Sequence, residues 1–511
     1  MKLKALSTAM ILATLPMTGA FAAAMDRSGQ SMAAFLQPGN YFEAGISVLD
    51  ADVSGREAGD YAASNRPIED MADSYYFPSA ALKLQLTDKF SFGLLYDQPF
   101  GAAAEYHGNN IFVSNPGSDT LLAQPVLDAL AARTVTETLA ENGITPEAVQ
   151  SNPTFVIGAL GTQLGLSGLA LQQFVGNQIT AAGGNATAAA QGAYDALYNG
   201  GLEQAEGQID GVNGLLGIGN TKVEVDTQNL AFVLGYQPTE NWNIYAAPVY
   251  QTVKGNLSLR GQAYSLYNGY DATIRETSDV GYLAGVAFQI PDIALKASLT
   301  YRSEIDHDVN IKETLPTLPA LALLGEDGEA QAAAIAAANG KTRITTPQSV
   351  NLDFQTGIMA NTVAFANVRW VEWSKFAIRP YKFGLVSEAV GGLVNRPNGF
   401  NLVEYEDDQI SATVGVGRKF NDLWAGNISV GWDSGAGNPV STLGPTEGYW
   451  NLGLGLQYSP TPATFIAGGV KYFWLGDAKA QTGAQAGDSA YVAQFEDNNA
   501  LAYGLKIGYR F

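Results

Sequence analysis

The sequence predicts an all-β membrane protein, a 14-stranded antiparallel transmembrane β-barrel with helical extracellular loops. Two patterns predict this fold class. Short segments in which apolar and polar residues alternate recur along most of the chain, and such alternation places the two sets on opposite faces of a strand. The connections between these segments alternate between short turns and long loops, which is the layout of outer-membrane barrels.

The chain begins with a stretch that has the properties of an export signal. Lys2 and Lys4 precede a short apolar core over residues 9–17, and the small residues over 20–24 offer an A-x-A cleavage site. The apolar core is too short to span a bilayer as a helix. We therefore predict a signal peptide over residues 1–24.

Fourteen alternating segments make up the predicted barrel domain, residues 41–511. They lie near residues 41–53, 75–87, 89–104, 223–238, 241–260, 275–290, 293–311, 346–360, 362–374, 401–420, 423–434, 446–459, 463–477 and 496–511. In the last segment Tyr509 and Phe511 alternate with Lys506 and Arg510. We expect the aromatic set to face lipid and the basic set to face the lumen, with this strand closing the barrel against the first one.

The composition agrees with an exported barrel and excludes other classes. Hydrophobic residues make up 46% of the chain, which also contains 24 Tyr, 22 Phe and 57 Gly. Cys is absent, so no disulfide framework holds the fold. The formal net charge of −21 argues against a nucleic-acid partner, because phosphate binding requires a basic surface.

Two long connections have helical rather than strand periodicity. Residues 118–219 and 315–339 are rich in Ala and Leu at helical spacing, and we predict helical extracellular loops there. Long loops with secondary structure of their own are usually functional. These helices form either a structural lid packed on itself or an apolar landing surface for a hydrophobic ligand.

Several local motifs are similar to those of the FadL family of outer-membrane long-chain fatty-acid transporters. They are YFEAG at 41–45, DKFSFG at 88–93 followed by QPFGAAAEY at 98–106, YRSEID at 301–306, and VRWVEWSKF at 368–376. The resemblance implies a monomeric barrel with a short N-terminal plug that closes it from inside. It places this barrel in the outer membrane of a Gram-negative bacterium, in contact with outer-membrane lipid and lipopolysaccharide. It also implies passive transport of long-chain fatty acids through a gap in the wall at the third strand.

The third-strand motif contains residues that interrupt a strand. Pro99 cannot donate to the ladder and Gly101 tolerates a bend, so we predict a lateral gap at Pro99, Phe100, Gly101 and Ala102. The alternative is that the strand simply ends there, at the membrane surface.

The chain departs from the family pattern in two places. The predicted plug, residues 25–40, is short, and Gln37-Pro38-Gly39-Asn40 replaces the usual Asn-Pro-Ala signature. The helical insertion follows the third strand, whereas we would expect the long helical loop after a later strand. The first departure puts the gating role of the plug in question.

A fatty acid requires an apolar site for its tail and a basic partner for its carboxylate. Among the lumen-facing basic residues, Arg302 and Arg369 are the best candidates, since Arg can grip a carboxylate with two parallel bonds, and Lys296 is a third. Phe35 and Leu36 of the plug are predicted to cap the pocket. The alternative is that these bases brace the wall through ion pairs with residues such as Glu304 and Asp306.

Three other functions remain open on the sequence. A channel for aromatic or other hydrocarbons would share every feature except the basic lumen residue. A general porin would need an open polar channel, and a hydrolase would depend on His107 or His307, which are the two histidines of the chain. We expect a transporter, with no enzymatic activity and no cofactor or metal.

Overall fold

The computed structural model describes residues 25–121, 124–324 and 326–511 of the chain. The predicted signal peptide, residues 1–24, lies outside these ranges. Over the described ranges, fourteen strands form one closed antiparallel ring, so the predicted fold class is confirmed.

The barrel strands are numbered in chain order, and each predicted segment overlaps one of them. They are β1 (Tyr41–Asp52), β2 (Tyr75–Gln85), β3 (Phe90–Asp97, continued by Gly101–Glu105), β4 (Lys222–Thr239), β5 (Trp242–Ser258), β6 (Asp271–Ile290), β7 (Leu295–Arg302, continued by Ile311–Thr314), β8 (Ser349–Met359), β9 (Thr362–Val371), β10 (Gln409–Lys419), β11 (Trp424–Asp433), β12 (Tyr449–Tyr458), β13 (Thr464–Leu475) and β14 (Asn499–Arg510). Each pairs with the next, and β14 pairs with β1, with Tyr41 opposite Arg510.

The two faces of the wall have opposite character. On β14, Tyr503 and Leu505 are 47% and 53% exposed on the outer face, whereas Ala502 is fully buried and Lys506 is 6% exposed. This is the expected alternation of a barrel whose outer face meets lipid. The predicted orientation of the last strand is therefore correct.

The two ends of the barrel differ in the length of their connections. Short turns at residues 86–89, 240–241, 291–294, 360–361, 420–423 and 459–463 lie at one end, which we call the turn end. The first residue of β1 and the last of β14 are also at this end. All longer connections lie at the opposite end, the loop end.

The loop end carries helices and a small sheet. The helices are α1 (Gln124–Glu141), α2 (Pro146–Ser151), α3 (Pro153–Gln163), α4 (Gly168–Ala181), α5 (Ala186–Asn213), α6 (Glu326–Ala337) and α7 (Tyr381–Val390). The first five pack around small clusters of their own, one of which contains Val156, Ile157 and Ala190. Among the described residues, no helix combines the length and apolar character needed to cross a bilayer.

Short loop strands at Gly55–Glu57, Pro67–Ile68, Val440–Ser441, Ala478–Gln481 and Ala493–Phe495 form a five-stranded sheet beside the barrel mouth. Neither this sheet nor α7 was predicted from the sequence. Strands of two to four residues are too short to show alternation.

The seventh strand is not continuous, although the sequence predicts one segment over residues 293–311. After Arg302 it leaves β6, and Ile305–Val309 pairs only with Thr342–Thr346 before Ile311–Thr314 returns to β6. The inward face changes at the break: Arg302 is buried before it, whereas Ile305, His307 and Val309 are buried after it and Glu304 and Asp306 are exposed. Uninterrupted alternation places Glu304 and Asp306 on the lumen face with Arg302, and that expectation is wrong beyond the break.

Candidate functional site

The described N-terminal residues, 25–40, run through the barrel lumen, and we call them the lumen segment. Inward-facing side chains of the wall bind its main-chain carbonyls. Asn351 Nδ2 donates to the Gly29 oxygen, and Lys296 Nζ donates to the Leu36 oxygen, each at 2.7 Å. Polar side chains thus fix the segment to β7 and β8.

A buried ion pair makes a further attachment. Arg369 Nε donates to Asp26 Oδ2 at 2.6 Å, and Arg369 Nη2 donates to Oδ1 at 3.3 Å. The two side chains are only 1% and 6% exposed. Arg369 also donates to Asn351 Oδ1 at 2.7 Å. Its guanidinium is therefore engaged by the lumen segment and the neighbouring strand.

The lumen segment also contacts the interruption in β3. Gly101 N donates to the Met25 oxygen at 2.9 Å, and Arg27 N donates to the Pro99 oxygen at 2.6 Å. The Arg27 guanidinium lies 3.9 Å from the centroid of the Tyr75 ring on β2, a cation–π arrangement. A Cβ atom at Gly101 would overlap this guanidinium, so glycine is what allows the close approach.

An inner cavity of about 230 Å³ lies between the lumen segment and the turn end. Its polar lining includes the basic residues Lys296, Arg302, Lys471 and Lys506 and the acidic residues Glu43, Asp97 and Asp353. Its apolar lining includes Leu36, Phe77, Leu95, Ala231 and Val249. The cavity therefore offers both an apolar wall and positive charge.

Two of these basic side chains donate to main-chain carbonyls rather than to carboxylates. Arg302 Nη2 donates to the Gln30 oxygen at 2.5 Å, as Lys296 does to Leu36. Among the described residues, neither lies within 4.0 Å of a carboxylate oxygen. Arg302 Nε is buried without a hydrogen-bond partner. By contrast, Lys506 pairs with Glu43 at 3.3 Å.

The two predicted capping residues lie in different places. Leu36 lines the inner cavity. Phe35 is fully buried and packs edge-on against Tyr245, with ring centroids 5.8 Å apart. Added Cβ atoms at Gly93 and Gly235 would lie within 2.7 Å of the Phe35 ring, so these two glycines form the recess that holds it. Phe35 thus anchors the segment to the wall.

Two further cavities continue towards the loop end. A middle cavity of about 90 Å³ is lined mainly by small and branched apolar residues, together with Met25, Asp26 and Arg27 of the lumen segment. An outer cavity of about 480 Å³ is lined largely by apolar and aromatic residues, among them Tyr264, Tyr267, Phe383 and Phe400. Leu402 and Leu443 line both. The lumen segment separates the middle cavity from the inner one.

The four predicted gap residues lie beside the lumen segment. Gly101 and Ala102 line the middle cavity. Phe100 is 3% exposed and packs edge-on against Trp373 at 5.5 Å. The inner cavity meets the wall just before them, at Leu95–Gln98 of the β3 region and at Phe77–Ala81 of β2.

The two histidines have structural surroundings. His307 Nε2 lies 2.9 Å from Gln251 Oε1, which also accepts from Thr346 Oγ1 at 2.7 Å. His107 Nδ1 lies 3.3 Å from Asn220 Nδ2. The described part of the chain contains no group of three or more His, Cys, Asp or Glu side chains placed to hold a metal ion.

One carboxyl group at the loop end has a strongly shifted pKa. Burial, and to a smaller extent the nearby Asp433 carboxylate, raise the pKa of Glu447 to about 8. Its Oε2 atom is buried without a hydrogen-bond partner. This group lies in the connection before β12, outside the membrane-spanning strands.

Three polar residues that position the lumen segment were not predicted from the sequence: Asp26, Gln30 and Asn351. Asp26 and Gln30 lie in a stretch without periodicity, so no pattern assigns them a face. The glycine at position 29 is a weak sequence signal for a turn. In the structure a φ of +58° at Gly29 precedes a φ of +50° at Gln30. Such a left-handed pair makes a tight turn, which directs both the Gln30 carbonyl and its side chain towards the wall.

The fold and the lumen site define an outer-membrane barrel whose interior is occupied by its own N-terminal segment. The family model described as "Outer membrane protein transport protein (OMPP1/FadL/TodX)" matches residues 218–511, more than half of the chain. The chain belongs to this family, whose members reside in the Gram-negative outer membrane. The turn end therefore faces the periplasm and the loop end faces the exterior.

The chain is similar to several solved structures at low sequence identity, and the first two below show the same fold. A Pseudomonas aeruginosa FadL homologue aligns with a TM-score of 0.57 at 12% identity, covering 98% of this chain and 99% of its own. A TodX deltaS2S3 mutant monoaromatic hydrocarbon channel gives 0.50 at 11% identity, with 97% and 99% coverage. The Pseudomonas putida toluene transporter TodX gives 0.49 at 10% identity, with 97% and 94% coverage. No curated protein matches the sequence significantly.

Proposed function

We propose that this family member transports long-chain fatty acids passively across the outer membrane. The ligand is captured in the outer cavity, binds in the inner cavity with its carboxylate on Arg302 and Lys296, and leaves sideways through the wall between β2 and β3. The lumen segment acts as the plug that separates the outer route from the inner site.

The shared bonding pattern of Arg302 and Lys296 is the observation on which this proposal depends. Both line the inner cavity, and both donate to neutral carbonyl oxygens of the lumen segment. These bonds already have a charged donor, but a carboxylate acceptor adds Coulombic attraction and can accept two parallel bonds from a guanidinium. A ligand carboxylate is therefore a better acceptor than the Gln30 or Leu36 oxygen that it would replace.

This competition also provides a means of release. When a carboxylate takes the two donors, the lumen segment loses two of its attachments to β7. The segment then shifts away from the β3 interruption, to which Met25 and Arg27 are bonded. Ligand binding and opening of the wall are thereby coupled through one short stretch of chain.

The tail supplies most of the affinity. Burial of each methylene contributes about 0.8 kcal/mol, so a long acyl chain contributes on the order of 10 kcal/mol. The apolar part of the inner cavity reaches the wall at Pro78, whose side chain lies on the lipid-facing side of β2. β3 pairs with β2 only from Ala80 to Gln85, so the upper part of β2 has no ladder partner on that side. These two features favour a lateral exit for the tail.

Aromatic hydrocarbons are the second candidate ligands. The middle cavity favours them because it is small and largely apolar, and its basic residue, Arg27, is already stacked on Tyr75. An uncharged ligand would pass through this cavity without using Arg302 or Lys296.

Ligand binding to purified variants separates the two candidates. We would measure binding of oleate and of oleyl alcohol, which has the same tail without a carboxylate, to the wild type and to Arg302→Gln/Lys296→Gln. Hydrogen bonds to charged groups contribute about 1.5–3 kcal/mol, so oleate affinity should fall at least tenfold while oleyl alcohol affinity changes little. Arg133→Gln on α1, which is exposed and lines none of the three cavities, is the matched control.

Equal oleate affinity in the wild type and the double variant would refute the carboxylate site. If the double variant also retained toluene binding and the wild type bound toluene more tightly than oleate, the hydrocarbon function would be favoured. Uptake of labelled oleate by cells that lack their own transporter gives the same comparison in the membrane.

A further inference from the structure

A groove on the outer face of the barrel, near the turn end, has a form that neither fold nor transport requires. It encloses about 520 Å³ and is lined by Val416, Arg418, Phe420, Gly426, Ile428, Leu454, Leu456, Gly468 and Val470, among others. These residues come from β10 to β13 and from the turn after β10.

Two outward-facing glycines shape the groove. Gly468 on β13 leaves the surface open, since an added Cβ atom would meet only ordinary contacts at 3.5 Å and beyond. At Gly426 the Phe420 ring lies close to the wall, with ring carbons 3.0 and 3.1 Å from the position of an added Cβ atom. Leu454 and Leu456 remain about half exposed beside them. The result is an apolar trough of the kind against which an acyl chain packs.

Arg418 places a positive charge at one end of this trough. It is exposed on the outward face of β10, and its side chain has no hydrogen-bond or ion-pair partner within the described chain. The nearest turn carboxylate, Asp422, is already paired with Lys419 at 2.8 Å. An unpaired arginine on the lipid face is destabilising at the membrane midplane and tolerated near the interface.

The register places Arg418 at the interface. It lies opposite Thr362, the first residue of β9, and opposite Gly426 of β11. Trp424 and Tyr458, whose rings are 4.9 Å apart, stand at nearly the same level, where aromatic side chains mark the membrane boundary. The guanidinium thus lies at head-group depth in the periplasmic leaflet.

We propose that this groove is a specific binding site for an anionic phospholipid of the periplasmic leaflet. Arg418 binds the lipid phosphate, for which the guanidinium fork is suited, and one acyl chain lies along Gly468 between Leu454 and Val470. The site is separate from the lumen, and it holds a structural lipid rather than a transported one.

Native mass spectrometry of the delipidated protein tests the proposal. Dioleoyl phosphatidylglycerol would be titrated against the wild type, Arg418→Gln and Gly468→Leu, with dioleoylglycerol as the probe that lacks a phosphate. A basic side chain near anionic lipid contributes about 1 kcal/mol, so Arg418→Gln should weaken phosphatidylglycerol binding about fivefold. Gly468→Leu fills the trough and should weaken binding of both lipids. Val414→Leu, on the same face of β10 but outside the groove, should bind like the wild type.

Several outcomes would overturn the proposal. These are unchanged phosphatidylglycerol binding in both groove variants, equal wild-type affinity for phosphatidylglycerol and dioleoylglycerol, and a lipid-free dimer that Gly468→Leu dissociates. The last would assign the groove to a second copy of the chain. Arg418→Gln and Gly468→Leu both lie outside the lumen. The heat-dependent shift in gel mobility of each variant verifies that its barrel is correctly folded.

Discussion

The ion pair between Asp26 and Arg369 allows a direct test of the lumen segment as a plug. The substitution is Asp26→Asn, which keeps the shape of the side chain and removes its charge. Arg369 then remains buried, at 1% exposure, without its ion-pair partner. We expect the lumen segment to leave its docked position more often, while the barrel itself stays folded.

The size of the effect follows from the burial of the pair. Removing one partner of a buried ion pair costs about 3–5 kcal/mol because the other charge is left uncompensated. If that cost acts on the docked state alone, the ratio of displaced to docked segment rises by roughly 10² to 4 × 10³, at 1.4 kcal/mol per tenfold. The main-chain bonds from Met25 and Arg27 to β3 remain, which limits the displacement.

Two measurements detect the displacement. Hydrogen exchange of residues 25–40 should accelerate in Asp26→Asn, and proteoliposomes that contain the variant should become more permeable to a small sugar. The double variant Asp26→Asn/Arg369→Gln removes the stranded charge as well, so it should recover part of the wild-type behaviour in a double-mutant cycle.

Wild-type exchange and permeability in Asp26→Asn would show that the ion pair does not hold the segment. A double variant as leaky as the single one would show that the stranded charge is not the cause. Either result would refute this account of how the lumen is closed.

Two further predictions concern stability. Burial raises the pKa of Glu447 to about 8 from an ordinary value of 4.5, so between these values the folded protein keeps a proton that the unfolded chain releases, and the free energy of unfolding should decline as the pH rises from about 5 to 8. Glu447→Gln should lessen this decline when thermal unfolding is measured across that pH range. Identical pH dependence in the wild type and the variant would contradict the prediction. Gly508→Val places a side chain where the Phe465 ring lies and should destabilise the barrel by about 1–3 kcal/mol, measured by urea unfolding in detergent. Gly468→Val, where an added Cβ atom meets only ordinary contacts, serves as the control, and equal stability of the two variants would contradict the prediction.

Alternation was sufficient to predict the barrel because each strand has one face in lipid and one in the lumen. The orientation of β14 was correct for the same reason: Tyr509 and Lys506 could not both face lipid without cost. Pro99 and Gly101 likewise marked the break in β3, since their backbone chemistry is readable from residue type alone.

The candidate site was less accessible to sequence reasoning, because its contacts join residues far apart in the chain. Arg302 and Arg369 look equivalent as inward-facing bases, yet Arg302 lines the inner cavity whereas Arg369 is bound by Asp26, 343 residues away. The partner lies in a segment without periodicity, so only the fold distinguishes the two roles. The departure of β7 from β6 was missed because Ile305 and His307 still alternate with polar residues, and nothing in that pattern shows that the inward face changes between Arg302 and Ile305.

The pairing of β1 with β14 sets the order in which the molecule can assemble. The ring cannot close until Asn499–Arg510 has been synthesised and docks on Tyr41–Asp52, so the contact that completes the barrel joins the two ends of the barrel domain. Such a distant contact makes closure slow relative to hairpin formation. The lumen segment immediately precedes β1, yet its attachments lie on β7, β8 and β9. The segment therefore docks fully only once the ring has brought these strands to face the lumen opposite β1.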